Sequence, residues 1–330
     1  MVKRFVRIFN TLVLIVFAVI LADFFGLYGS DKNVSVTIGE GDGISAIASK
    51  LQDEHIVISK YLFNAFCKIG GADIKINPGT VTVNSSMSYK EILNAVEKAS
   101  DSQITVTIPE GFENREISDR LFSNDIISSE DEFNAALKHT SFTLDDGTVV
   151  DGSAGGLSGY LFPDTYNFYK NTPSDDVIKV MTSNFKAHWL SEYTDRCKEL
   201  DMTVNEAVIL ASIIEREANN AADFKTVSSV FHNRLNTGMK LESCATVQYI
   251  LEERKSVLSL DDVKIKSPYN TYIVKGLPPA AISSPGITAI EAALYPDETE
   301  YLFFFVDKNG TTHFSKTNEE HNALIEKHGL

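Results

Sequence analysis

Cysteine is scarce in this chain of 330 residues, tryptophan occurs once, and basic side chains are outnumbered 30 to 45 by acidic ones. Each shortage excludes something. The three cysteines, Cys67, Cys197 and Cys244, are odd in number, far apart and form no C-x-x-C pair, so the sequence encodes neither a disulfide framework nor a zinc ribbon. They are expected to be buried thiols. A formal charge of −15, with no long basic patch after residue 10, argues against a nucleic-acid binder, whose affinity rests on a basic face that neutralises phosphates. The Glu-Glu-His run at 319–321 lacks metal-ligand spacing, so no metal or other cofactor is expected. What is present is an ordinary globular composition, 43% hydrophobic and 23% charged, long enough for two domains with cores of their own.

The N-terminus carries a topological signal. Lys3, Arg4 and Arg7 lead into an uncharged run from Ile8 to Ala22, followed by Asp23 and a further apolar stretch to Tyr28. A membrane span needs about 20 mostly apolar residues, and 8–28 supplies that length with residues 1–7 left as a cytoplasmic tail under the positive-inside rule. The competing reading is a cleaved signal peptide, which a poor small-x-small match before Asp23 disfavours. Under either reading the rest of the chain lies outside the cytoplasm.

Beyond this segment the chain repeats itself. "VTIGEG" at 36–41 returns as "VTIPEG" at 106–111, and the same offset of 70 relates Ile47 to Ile117, Leu51 to Leu121, Ile56 to Ile126, Ser59 to Ser129 and "FNA" at 63 to "FNA" at 133. Each copy predicts a strand, a glycine turn, an amphipathic helix and a second helix opened by a serine. Pro78-Gly79 and the alternating "TVTV" at 80–83 close the first copy as a strand–helix–helix–strand unit, followed by a helix near 88–98. This unit, 34–98, resembles a small LysM-like module of the kind that cradles N-acetylglucosamine-containing glycans; a structural spacer is the alternative. "KASDSQ" at 98–103 marks a boundary before the second domain, 104–330.

In that second domain a glycine-rich loop at 152–156 precedes the aromatic stretch "LSGYLFPDTYNF" at 157–168, and helical patterns follow over 175–199 and 203–219. Thr203 and Glu206 have the spacing of a capping box, and Asn219-Asn220 are stop signals. The second helix contains "ILASIIEREA" at 209–218. At 100° per residue Glu215 shares a stripe with Val204, Val208 and Ala211, whereas Glu217 lies about 160° away. The two carboxylates therefore cannot flank one bond as a two-carboxylate glycosidase requires. If the helix does acid chemistry, one of them is the acid; the alternative is a solvated helix end. Burial would have to raise such an acid's pKa, since the helix dipole supplies only ~0.3–1 kcal/mol.

Taken in order, "ILASIIEREA", "VSSVFHNRL", "TVQY", "SPYNTY", "GLPPAAISSPG" and "THFS", behind a single anchor and a LysM-like unit, resemble the MltG-type (YceG-like) endolytic murein transglycosylases. The resemblance runs from about residue 34 to the C-terminus. It implies an α+β fold: a membrane anchor, the LysM-like strand–helix–helix–strand module, then a mixed α+β catalytic domain. It also implies that Glu215 is the acid and base of an endolytic lytic transglycosylase, a lyase that cuts the MurNAc-GlcNAc bond of nascent glycan strands and leaves 1,6-anhydroMurNAc ends. Glu217 matches the motif's second glutamate. The expected partners are peptidoglycan strands, penicillin-binding synthases and, through the N-terminal helix, membrane lipid.

Other motifs supply candidate substrate contacts. Asn270 and Tyr272 sit after a proline in "SPYNTY", and Gln248 and Tyr249 lie on a helix running from Thr246. "YLFFFVD", Asn309-Gly310 and "THFS" predict a β-hairpin whose His313 either lines the cleft or is merely packed. Ser158 replaces the glutamate, and Cys244-Ala245 the Asp-Pro, usual in the family. A catalytically silent cell-wall scaffold that binds glycan or synthase is the alternative function.

Overall fold

The structure is a computed structural model that describes residues 2–27, 33–39, 41–69, 76, 79–97, 103–218, 220–251 and 253–328, with the side chains of 2–8 and 154 excepted. Tyr28, Pro78, Asn219 and nearly all of the expected boundary at 98–103 lie outside these residues. In chain order the elements begin with α1 (Val2–Phe25), β1 (Val34–Ile38), α2 (Ile44–Asp53), α3 (Lys60–Ile69), β2 (Gly79–Val83) and α4 (Tyr89–Glu97). Next come β3 (Ile104–Ile108), α5 (Asn114–Ser123), α6 (Glu130–His139), β4 (Ser141–Thr143), β5 (Val149–Asp151) and β6 (Asp164–Phe168). The helical run α7 (Ser174–His188), α8 (Ser191–Glu199), α9 (Val204–Glu217), α10 (Phe224–Asn236), α11 (Cys244–Ile250) and α12 (Ile287–Leu294) follows, and β7 (Phe303–Val306), β8 (Thr312–Ser315) and α13 (Asn318–His328) close the chain. The fold is mixed α+β.

Two compact units are formed, one of residues 1–105, 124–128 and 167–173, the other of 106–123, 129–166 and 174–330. In the first, β1 and β2 pair antiparallel from Val34↔Val83 to Ile38↔Gly79. Their inward side chains, Val36, Ile38, Val81 and Val83, join Ile47, Leu51, Phe63, Tyr89 and Ile92 in one core. The last turn of α1 belongs to that core as well. Asp23 is buried and accepts hydrogen bonds from the Tyr89 hydroxyl and, at 2.9 Å, from the Ile58 amide. Phe24 packs edge-on to Phe66 at 5.2 Å. Further back, α1 exposes Phe9, Leu14, Val16 and Phe17. Among the described residues no helix is long and apolar enough to cross a membrane.

The sequence repeat is a repeat of structure. β1, α2 and α3 recur as β3, α5 and α6 with every boundary displaced by 70 residues. The turn glycines Gly41 and Gly111 both take positive φ, +84° and +76°, as do His55 and Asp125. Ile47 and Ile117, Leu51 and Leu121, Ile56 and Ile126, and Phe63 and Phe133 are all buried. Ser129 caps α6 by accepting from the Glu132 amide. In the second copy β3 pairs with β6, which lies within the aromatic stretch.

In the second unit α9 is the central helix. Its capping box is formed by Thr203 and Glu206, and every residue from Ala207 to Ile214 is buried, so the helix is apolar all round and tertiary packing, not amphipathicity, holds it. Helix α12 packs along it. The segment before α12 is laced to α9 through Ser212, whose hydroxyl accepts from the Ile282 amide at 3.0 Å and whose carbonyl accepts from Ser283 Oγ at 3.1 Å. Gly159, with φ +86°, approaches so closely that a Cβ would stand 2.6 Å from Val208. One expected element divides: the helical pattern over 175–199 breaks into α7 and α8 at Leu190, which is extended at φ −74°, ψ 150°. Trp189 stacks on Phe185 and hydrogen-bonds Thr194, which fixes the corner.

Candidate active site

The C-terminal turn of α9 carries the site. Glu215 is half-buried there, and its Oε2 accepts from the Gly286 amide at 3.0 Å. The loop that supplies this amide is stitched to the turn after β3: the Gly111 amide donates to Ser284 O and the Ser284 amide to Phe112 O, both at 2.8 Å. Arg216 Nη1 donates to Gly111 O at 2.9 Å. Three segments thus meet at one carboxylate. Burial pushes Glu215 up to about 7 against the opposing Gly286 hydrogen bond; the neighbouring Glu110 charge pushes it further up, and Arg216 pulls it down. Glu110 did not figure among the site residues expected from sequence, although the repeated "VTIPEG" contains it.

Glu217 points elsewhere. It accepts from Ser243 Oγ at 2.5 Å and from the Ala245 amide at 2.9 Å, so it ties α9 to the start of α11. Its pKa is also raised, by burial first, with those hydrogen bonds opposing. The helical geometry that separates the two side chains has given them separate partners. A cavity of about 390 Å³ beside Glu217 is lined by Glu242, Cys244, Tyr272, Phe304 and His321 among others. Cys67 and Cys197 are buried, but Cys244 is exposed, which corrects the expectation of three buried thiols: position 244 opens α11 at this cavity, with Sγ 3.1 Å from the Tyr272 hydroxyl.

The remaining candidates are placed as follows. Asn270 is fully buried; its Nδ2 donates to Val263 O and Ile265 O, and its Oδ1 accepts from the Tyr272 amide. It therefore shapes its own loop. Gln248 spends its side-chain amide on the Lys255 backbone, donating to the carbonyl and accepting from the N–H. Tyr249 is half-buried with its ring 4.9 Å from that of Tyr269. His313 lies in the β7–β8 hairpin opposite Phe305, stacks on that ring, and meets Asp307 Oδ2 at 2.9 Å; none of its contacts is with Glu215. Ser158 is buried, donates to Gly155 O and accepts from Asn114 Nδ2, so it holds the glycine-rich loop to the start of α5.

The fold and the site together define an α+β protein in which one half-buried carboxylate, mounted on a central helix, is enclosed by two loops. The chain belongs to the YceG-like family, whose model matches residues 36–327. It is 32% identical over 310 residues to the endolytic murein transglycosylase of Bacillus subtilis, covering 91% of this chain and 86% of that one. It is 28% identical to the Streptococcus pneumoniae D39 protein of the same name, where the match covers 91% of this chain but 59% of the relative. Among solved structures, that of a YceG-like protein from Listeria monocytogenes aligns with a TM-score of 0.60 and 30% identity over 89% of this chain and 100% of the other.

Proposed function

We propose that this chain is an endolytic murein transglycosylase with Glu215 as its acid and base. The observation that carries the reading is a carboxylate held near pKa 7 by burial in a family whose curated relatives bear that name. At neutral pH such a group is protonated often enough to give a proton and is basic enough to take one back. Glu215 protonates the glycosidic oxygen between MurNAc and GlcNAc, and the C1–O bond breaks with its electron pair leaving on that oxygen. The MurNAc C6 hydroxyl attacks C1 and returns its proton to Glu215. The product is a 1,6-anhydroMurNAc end, formed without water and without a covalent intermediate on the protein.

On this reading α1 is the single-pass anchor, N-terminus in the cytoplasm, and residues 34–98 are a LysM-like module that spaces the enzyme from the membrane or grips glycan. A site near the membrane acts on strands as synthases extend them, which makes penicillin-binding enzymes its partners and strand termination its effect. The apolar exposed face of α1 supports the anchor. Mass spectrometry of glycan digested by wild type and by Glu215→Gln tests the chemistry. Anhydro ends from wild type and none from the variant are expected; reducing ends that have gained water would show a hydrolase, and unchanged cleavage by the variant would remove the role of Glu215 and leave the scaffold reading.

A further inference from the structure

Glu110 stands where no structural role explains it. The turn that carries it is fixed on both sides by the Gly111–Ser284, Ser284–Phe112 and Arg216–Gly111 hydrogen bonds, yet the Glu110 side chain is exposed and nothing among the described residues hydrogen-bonds its carboxylate. It does have a fixed neighbour. A Cβ added to Gly286 would lie 1.9 Å from Glu110 Oε1 and 2.2 Å from Cδ, so this carboxylate occupies the space a side chain at 286 would fill. The same Gly286 gives its amide to Glu215 Oε2. Two carboxylates therefore meet at one glycine, one half-buried and hydrogen-bonded, the other exposed and unpaired.

We propose that Glu110 is the charge partner of Glu215: a second carboxylate, standing beside Gly286, that offsets the positive charge growing at the anomeric carbon as the glycosidic bond breaks. The proposal rests on the transglycosylase reading above. The proton shuttles from Glu215 to the leaving oxygen and from the C6 hydroxyl back to Glu215. An ionised group close to the acid keeps it protonated to higher pH, since two like charges resist sharing a site. Among the described residues the other charge acting on Glu215 is Arg216 on its own helix, which acts in the opposite sense; the 284–286 loop offers the Gly286 amide and no titratable side chain. The requirement for close approach also explains the glycine: at 286 any larger residue would push the Glu110 carboxylate away.

Steady-state kinetics of the full chain on uncrosslinked glycan strands, across pH, test this with Glu110→Gln, Glu110→Asp and Gly286→Ala beside Glu215→Gln. For Glu110→Gln we expect an unchanged melting temperature and an unchanged anhydro product, with kcat lowered ~10²-fold and KM nearly constant. Its alkaline limb should move to lower pH. Glu110→Asp should restore part of the rate, and Gly286→Ala should shift the limb in the same direction as Glu110→Gln. A Glu110→Gln enzyme with wild-type kcat and an unmoved limb overturns the proposal, as does a change confined to KM. Should Glu110→Gln fail to fold, Gly286→Ala decides on the same two readings. Loss of cleavage in Glu215→Gln together with wild-type behaviour in Glu110→Gln would sink this inference alone, whereas full cleavage by Glu215→Gln would sink the parent reading.

Discussion

The Gly286 amide nitrogen stands 3.0 Å from Glu215 Oε2, and this neutral donor orients the acid without neutralising it. A lysine or arginine in that place would lock the carboxylate in its charged form. A single backbone N–H opposes the effect of burial only in part, and burial wins: the group sits at about 7. Orientation thus comes from the Gly286 contact and the usable pKa from burial.

The first prediction concerns rate against pH. Bond cleavage needs Glu215 protonated, and its pKa lies at about 7, so kcat/KM should hold below that value and fall about tenfold per pH unit above it. Initial rates of anhydro-end formation between pH 5 and 9 measure this. A rate that rises through pH 7 would show that Glu215 is not the proton donor.

Stability should respond to the same group with a definite sign. Glu215 is raised from 4.5 to about 7 on folding, so the native state binds its proton more tightly than the unfolded one. The contribution is full below the unfolded value and is lost as pH rises through about 7. Relative to Glu215→Gln, wild type should be destabilised above pH 7, by on the order of 3 kcal/mol, and the difference should vanish below pH 4.5. Thermal melts of both proteins at pH 4 and pH 8 check it; a variant that is less stable at pH 8 would contradict the burial argument.

Local features of the chain are legible in its residues, and features that depend on distant partners are not. The two-copy pattern and the α9 capping box were readable because both are local: glycine turns, serine caps and helical spacing act over a few residues. The divergence of Glu215 and Glu217 followed from helical angle alone. For Asn270 the sequence offers a substrate contact, whereas its partners Val263 O and Ile265 O come from a loop whose path no periodicity reveals. Glu110 stands within the repeat with no local signal of a role, because its meaning depends on Gly286, 176 positions away in sequence. Nor did the helical pattern of 175–199 disclose the corner at Leu190, where aromatic stacking by Trp189 overrides propensity.

Glu217 should prove structural before it proves chemical. Its carboxylate takes hydrogen bonds from Ser243 Oγ and the Ala245 amide, and Glu217→Ala leaves both donors unmet at the start of α11. The expected cost is about 1–3 kcal/mol, with Glu217→Gln losing less because it keeps one acceptor. Chemical denaturation gives the stability, and kcat measured well below the melting temperature should fall far less than in Glu215→Gln. Equal loss of kcat in the two alanine or glutamine series, with no loss of stability, would place Glu217 in the reaction.

Asn270 offers the sharpest separation of a packing role from a binding role. Its side chain is fully buried and makes three hydrogen bonds, donating to Val263 O and Ile265 O and accepting from the Tyr272 amide. Asn270→Ala would leave two carbonyls and one N–H without their partner in a partly buried loop, at a cost of about 1–3 kcal/mol. Asn270→Asp should be no better, since an ionised carboxylate would face two carbonyl oxygens that it cannot donate to. A binding residue would behave otherwise: its loss would raise KM and leave the melting temperature in place. We therefore expect both substitutions to lower the melting temperature while the product remains the anhydro end, with KM changing only as far as the Tyr272 loop loosens. Thermal melts and KM measured on the same preparations decide between the two, and a stable Asn270→Ala protein with a large rise in KM would return this residue to the glycan.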